Sequence, residues 1–144
     1  MRTLPHLGLV LCAAAFAHAL QPPAPDPRFF GTFSSFRNIP AAGDTLGYEL
    51  SILPNRGHPF VLFRCAIGAP ETPVHVDIHF YSQSGEFQVP KGQSSCSGIY
   101  LVTLTADGLR LRSRQHASAP ARDLPDGLLH RNRTAPAFVP EHPP

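Results

Sequence analysis

The sequence predicts an all-β fold, an antiparallel β-sandwich of the jelly-roll type. The chain has 17 prolines in 144 residues, roughly twice the usual share. Proline interrupts helices because it lacks a backbone donor and clashes with the preceding turn, which excludes a helical bundle and an α/β fold with regular crossover helices. Short alternating or apolar segments lie between turn residues that recur about every 8–12 positions, as in small sandwiches.

The first half of the domain contains four predicted strands, over residues 29–39, 46–53, 60–67 and 74–80. The second of these alternates strictly, which is typical of a strand with one face in a core. The third is an almost unbroken apolar run, which predicts a strand buried on both faces. In the fourth, the apolar residues share one face, and the other face carries His75, Asp77, His79, Tyr81 and Gln83.

The second half contains three more predicted strands, over residues 86–89, 99–105 and 109–114. The dipeptide Asp107-Gly108 separates the last two and predicts a hairpin. Residues 91–98 form a polar loop, and the pattern weakens after Ala119.

The N-terminus predicts a secretory signal peptide over residues 1–19. Arg2 precedes an apolar run at 7–16, and Ala17-His18-Ala19 has the form of a cleavage site. The run is too short to cross a bilayer as a helix, so we expect a secreted, extracellular protein without a membrane span. The rest divides into a proline-rich lead-in at 20–28, a β-sandwich domain at 29–130 and a disordered proline-rich tail at 131–144.

Two covalent modifications follow from this location. Cleavage removes Cys12 and leaves Cys65 and Cys96, and an even pair in an oxidising compartment indicates a disulfide, the alternative being two free thiols. Asn132-Arg133-Thr134 is a glycosylation sequon, so Asn132 is a predicted glycosylation site.

A glycine turn and an alternating strand at 43–52 precede the apolar run at 60–63, and His79-Phe80-Tyr81-Ser82-Gln83 begins in the next predicted strand. Further along the chain lie Asp107-Gly108 and the pair His130-Arg131. In this order the segments resemble the carbohydrate-recognition domain of galectins, with residues 79–83 in the place of the family's His-Phe-Asn-x-Arg strand and the later two motifs in its C-terminal half. The resemblance implies a galectin-like sandwich in which the strands at 46–53, 60–67 and 74–80 are neighbours and His79 lies on the concave face.

The same resemblance implies a diverged or lost galactoside site. The family's histidine is present as His79, but Tyr81 and Gln83 replace its asparagine and arginine, and the chain has no tryptophan to stack on a sugar. The expected function is a binding module whose glycan contacts centre on His79 with Asp77, Tyr81 and Gln83. The alternative is a secreted module that binds an extracellular protein and no sugar.

Arg110, Arg112 and Arg114 form a basic stripe on one predicted strand face. A stripe of this kind favours an anionic glycan or an acidic protein surface. The alternative is an exposed face in a chain that is rich in arginine.

Other chemistry is not indicated. In a strand, His75 and His79 are about 13 Å apart, too far to share one ion easily, and no enzyme motif is present. The formal net charge is +2, which does not favour nucleic acid. We therefore expect no enzyme, metal or cofactor, and a glycan, a glycoprotein or an extracellular protein as the partner.

Overall fold

The computed structural model describes residues 24–116 and 127–132, in which nine β-strands and one 3₁₀ helix, Pro27–Phe29, are present. Within these ranges no helix has the length and apolarity that crossing a membrane requires. The all-β prediction is confirmed. The strands are β1 Gly31–Ser34, β2 Arg37–Ile39, β3 Asp44–Leu53, β4 Phe60–Pro70, β5 Val74–Tyr81, β6 Ser84–Val89, β7 Gly98–Leu104, β8 Gly108–His116 and β9 Gly127–Arg131.

Eight of these strands close into one antiparallel barrel. Neighbours in sequence pair from β3 to β9, and β1 pairs with both β9 and β3. The short β2 adds to β3 outside this ring. The predicted sandwich is therefore wrong. Alternation gives each strand one buried face, which either architecture satisfies, whereas the double pairing of β1 closes the sheet.

Inward-facing side chains from all parts of the ring occupy the barrel interior. An eight-stranded barrel is just wide enough for its own side chains to fill it. The rings of Phe63, Phe87 and Tyr100 lie together inside the barrel, with centroids 5.1–5.7 Å apart. The largest fully buried side chains are Tyr100, Phe29, Phe33, Phe63, Leu50, Ile52, Leu109, Leu111 and Leu129.

Strand β4 shows how the barrel differs from the predicted core. Val61, Phe63 and Cys65 face inward and are fully buried. Phe60 and Leu62 face outward and are only half-buried. The prediction of a strand buried on both faces is wrong, because no second layer formed by the described residues covers this strand on the outside of the barrel.

The 3₁₀ helix closes one end of the barrel, which we call the N-terminal end. Phe29 is fully buried there, with its ring 4.8 Å from that of Phe80. Arg131, the last residue of β9, donates from Nη1 to the Phe30 carbonyl at 2.9 Å and from Nη2 to the Arg28 carbonyl at 2.6 Å. Its guanidinium lies 4.6 Å from the Phe33 ring centroid. Residues assigned from sequence to the lead-in and the tail thus contribute to the barrel.

A disulfide between Cys65 and Cys96 closes the opposite end, which we call the disulfide end. Both cysteines are fully buried, and their Cα atoms are 6.2 Å apart, within the normal range for a bridge. The predicted bond is confirmed. It fixes the segment between β6 and β7, residues 90–97, against β4, and Tyr100 donates its hydroxyl to the Cys96 carbonyl at 2.5 Å.

Candidate functional site

The exposed face of β5 carries most of the polar residues that the sequence singled out. Val74, Val76 and Ile78 point into the barrel, so His75, Asp77 and His79 point outward and are exposed. Strands β3, β4 and β5 pair as neighbours, as predicted. The predicted concave position of His79 is wrong, because the inner face of the sheet is filled and His79 lies on its convex outer surface.

These three side chains border a shallow depression of about 410 Å³, which we call the β5–β6 depression. Antiparallel pairing of the two strands places Glu86 directly opposite His79. The segment between β6 and β7 contributes Pro90 and Gln93, which form the rim nearest the disulfide end. The lining residues are His75, Val76, Asp77, His79, Glu86, Phe87, Gln88, Pro90, Gln93 and Ile99.

Two contacts fix side chains around this depression. The His75 ring meets the Phe60 ring edge-on, with centroids 4.4 Å apart and an interplanar angle of 82°. Glu86 accepts a charge-assisted hydrogen bond from Arg114 of β8 at 2.5 Å. Among the described residues no ion pair involves Asp77, so its carboxylate is available to a ligand. The depression thus combines one open carboxylate, two imidazoles and two amides with the apolar edges of Pro90 and Ile99.

Two of the predicted ligand-binding residues lie outside the depression. Strand β5 ends at Tyr81, whose side chain is 58% exposed. Gln83 lies in the turn before β6, where the strand alternation no longer applies.

Sequence reasoning missed three polar residues of the depression. Glu86, Gln88 and Gln93 lie on β6 and in the following segment. The hairpin register indicates the first two, since Glu86 and Gln88 alternate along a strand that follows β5 after a two-residue turn. Gln93 gives no periodic signal because it lies in an irregular segment.

The arginine stripe lies on the outer surface of β8. Arg110 is directly opposite Thr103 of β7, and Arg112 is opposite Leu101. A register shift near Tyr100 leaves Arg114 without a directly opposed residue. Such a bulge redirects a side chain, and Arg114 reaches Glu86 on β6. The stripe and the β5–β6 depression therefore meet at one ion pair.

A second depression, of about 480 Å³, lies at the N-terminal end beside the β7–β8 turn. The two arginines that line it already form contacts with other residues of the barrel. Arg28 pairs with Asp26 at 2.7 Å, and Arg131 holds the backbone carbonyls of Arg28 and Phe30. This depression is a weaker candidate for a binding site, because a ligand would compete with contacts that close the barrel.

Three other expectations stay predictions: the absence of a bound metal, the glycosylation of Asn132 and the signal peptide. Among the described residues no group of three or more histidine, cysteine or acidic side chains is placed to hold a metal ion. Asn132 is exposed directly after β9, but Arg133 and Thr134 lie outside the described residues, so its glycosylation stays a prediction. The signal peptide at 1–19 also lies outside them.

No family model, curated protein or solved structure matches the chain. The resemblance to galectins stays a prediction, although the two-sheet architecture that it implied is not the one present.

Proposed function

We propose that the protein is a secreted carbohydrate-binding module that takes its ligand on the outside of the barrel, in the β5–β6 depression. The observation that carries this proposal is the contrast between the two faces of β5. Its inner face is buried in a filled interior, and its outer face presents His75, Asp77 and His79 to solvent.

The chemistry of the depression suits a sugar. A ring hydroxyl both donates and accepts hydrogen bonds, and the depression supplies an acceptor in Asp77 and mixed donors and acceptors in Gln88 and Gln93. Binding sites of this kind combine a few polar groups with apolar surface, and Pro90 and Ile99 provide that surface for the C–H groups of a sugar. The opening is shallow, which suits an exposed sugar of a larger glycan.

The proposed site differs from the one that the galectin resemblance implies. His79 and Asp77 keep the roles expected for them, as hydrogen-bonding partners of hydroxyls. Gln88 and Gln93 replace Tyr81 and Gln83 in the central contacts. We therefore do not expect the ligand to be selected by the galectin arrangement of histidine, asparagine and arginine.

Binding of the purified protein to an array of neutral and charged glycans tests this function. We expect His79→Ala and Asp77→Asn each to weaken binding about tenfold, which corresponds to the loss of one or two hydrogen bonds. His130→Ala is the matched control, because His130 is an exposed histidine of β9, four strands away around the barrel. A blank array, or equal loss in the β5 variants and the control, contradicts the proposal.

A further inference from the structure

We infer that the ligand is an anionic polysaccharide, carrying sulfate or carboxylate groups, which runs from the β5–β6 depression across β7 to the arginines of β8. This inference rests on the proposed function and names the class of glycan. It joins two surfaces that the sequence analysis describes separately, the polar face of β5 and the arginine stripe.

The strand register places both surfaces on one continuous part of the barrel. Residues that are directly opposite in an antiparallel ladder have their side chains on the same face. The first transverse row runs from β8 to β5 through Arg112, Leu101, Glu86 and His79. The second row, one step closer to the N-terminal end, runs through Arg110, Thr103, Ser84 and Tyr81. Three interstrand steps span about 14 Å, which an oligosaccharide can cover.

The two ends of these rows differ in charge. Arg110 and Arg112 are exposed, and among the described residues neither forms an ion pair. Arg114 is held by Glu86, so its charge is partly neutralised where the stripe meets the depression. An anionic group therefore finds its strongest attraction at β8, and arginine is suited to bind sulfate or carboxylate with two parallel hydrogen bonds.

The curvature of the barrel favours a chain over a compact ligand. In a closed ring of eight strands the outward direction turns by roughly 45° from one strand to the next. The surface from β5 to β8 thus turns through roughly 135° by the same geometry. A small rigid molecule can contact only part of this surface, whereas a polysaccharide can bend at its glycosidic bonds and follow it.

The acidic residues of the depression favour an anionic polysaccharide over other polyanions such as a nucleic acid. A nucleic acid carries a charge at every phosphate, and its backbone would place one of them near the open carboxylate of Asp77. A sulphated or uronic-acid glycan instead has neutral hydroxyl groups beside its charges. Those hydroxyl groups can form hydrogen bonds with the carboxylates and amides on β5 and β6, and the charged groups of the glycan can bind the arginines of β8.

Titration with dextran sulfate of low sulfate content, which keeps free hydroxyls beside its charges, and with unsulphated dextran of the same length, tests the charge requirement. We expect dextran sulfate to bind more tightly and to lose affinity as salt rises, because exposed charges are screened. Arg110→Ala/Arg112→Ala should weaken that binding about tenfold or more. Arg37→Ala/Arg56→Ala removes the same charge from exposed positions on β2 and in the β3–β4 turn, and it should change binding less than about twofold by the same measure.

The outcomes distinguish this inference from the function on which it rests. An array on which only neutral glycans bind, with full binding by Arg110→Ala/Arg112→Ala, overturns the inference and keeps the carbohydrate function. An equal loss of affinity in Arg37→Ala/Arg56→Ala overturns it too, because binding would then depend on the overall positive charge and not on the arginines of β8. Dextran sulfate binding that His79→Ala leaves unchanged shows that the ligand does not reach the depression, and this also overturns the inference. A protein that binds no glycan of any charge overturns both.

Discussion

The two ends of the barrel are closed by different means. At the N-terminal end, β9 is held to β1 and to the residues before it by noncovalent contacts alone, namely those of the Arg131 side chain and a backbone hydrogen bond from Asn132 to the Thr32 carbonyl among the described residues. The β1–β9 ladder beside it comprises just two residue pairs. At the disulfide end, a covalent bond fixes residues 90–97 to β4, and Glu71 adds hydrogen bonds to the same segment.

Only one of the two closures lies beside the candidate binding site, so the two should affect ligand binding differently. The segment held at the disulfide end also supplies Pro90 and Gln93 to the rim of the β5–β6 depression. The contacts of Arg131 lie at the other end and touch none of the residues that line it. Loss of the covalent closure should therefore affect both folding and ligand binding, whereas loss of the Arg131 contacts should affect folding alone.

The largest effect is expected from the variant Cys65→Ala/Cys96→Ala. The bond closes a loop of 31 residues, and in the chain-entropy model its loss costs about 3–4 kcal/mol. Denaturant unfolding measures this directly. Glycan binding should weaken as well, since the rim of the depression is released. Reduction of the wild-type protein should reproduce both changes, and a loss below about 1 kcal/mol would show that the remaining packing holds this end.

Arg131→Ala should have the next largest effect. It removes two hydrogen bonds from a charged donor and a cation–π contact with Phe33, and we expect a loss of about 2 kcal/mol in unfolding free energy. Arg131→Lys keeps the charge but lacks the planar fork, so it should recover only part of that stability. Glycan affinity should be unchanged in both variants under native conditions. A weakened affinity would show that the two ends are coupled.

The sequence predicts the strands better than it predicts their closure. Alternation finds β3 and β5 within a few residues of their observed ends because it depends on neighbouring positions alone. The barrel instead depends on Phe33 of β1 lying opposite Arg131 of β9, nearly the whole domain apart in sequence. Strand β9 was missed because its five residues, Gly127–Arg131, are too few to show a period.

Gly108 belongs to a predicted turn and also allows contact with a strand that is more distant in sequence. The sequence assigns it to the turn of the β7–β8 hairpin, and that hairpin is confirmed. A Cβ at this position would lie 2.0 Å from the Leu129 carbonyl oxygen, so the glycine also allows β9 to approach. Similarly, alternation predicts the β5 side of the candidate site, whereas Gln93 depends on the disulfide end for its position.

The smallest effect concerns pH and the hydrogen bonds of Glu71. Burial alone would raise the pKa of this carboxyl, but hydrogen bonds from Ser94 and from both the backbone and the hydroxyl of Ser95 lower it below the ordinary value of 4.5. The ionised form is thus favoured in the folded state. Its contribution is fully present above about pH 4.5 and is lost as the pH falls through the lowered folded-state pKa.

Unfolding free energies measured from pH 7 to pH 3 for the wild type and Glu71→Gln isolate this contribution from the other carboxylates. We expect Glu71→Gln to be less stable by about 0.5–1 kcal/mol at pH 7, a modest value because the group is only partly buried. The two proteins should converge at low pH, where the wild-type carboxyl is also neutral. If the difference in unfolding free energy between the two proteins stays constant with pH, the contribution of Glu71 to holding residues 90–97 comes from packing and not from its negative charge. In that case closure of the disulfide end, and the rim of the depression with it, would not depend on acidity.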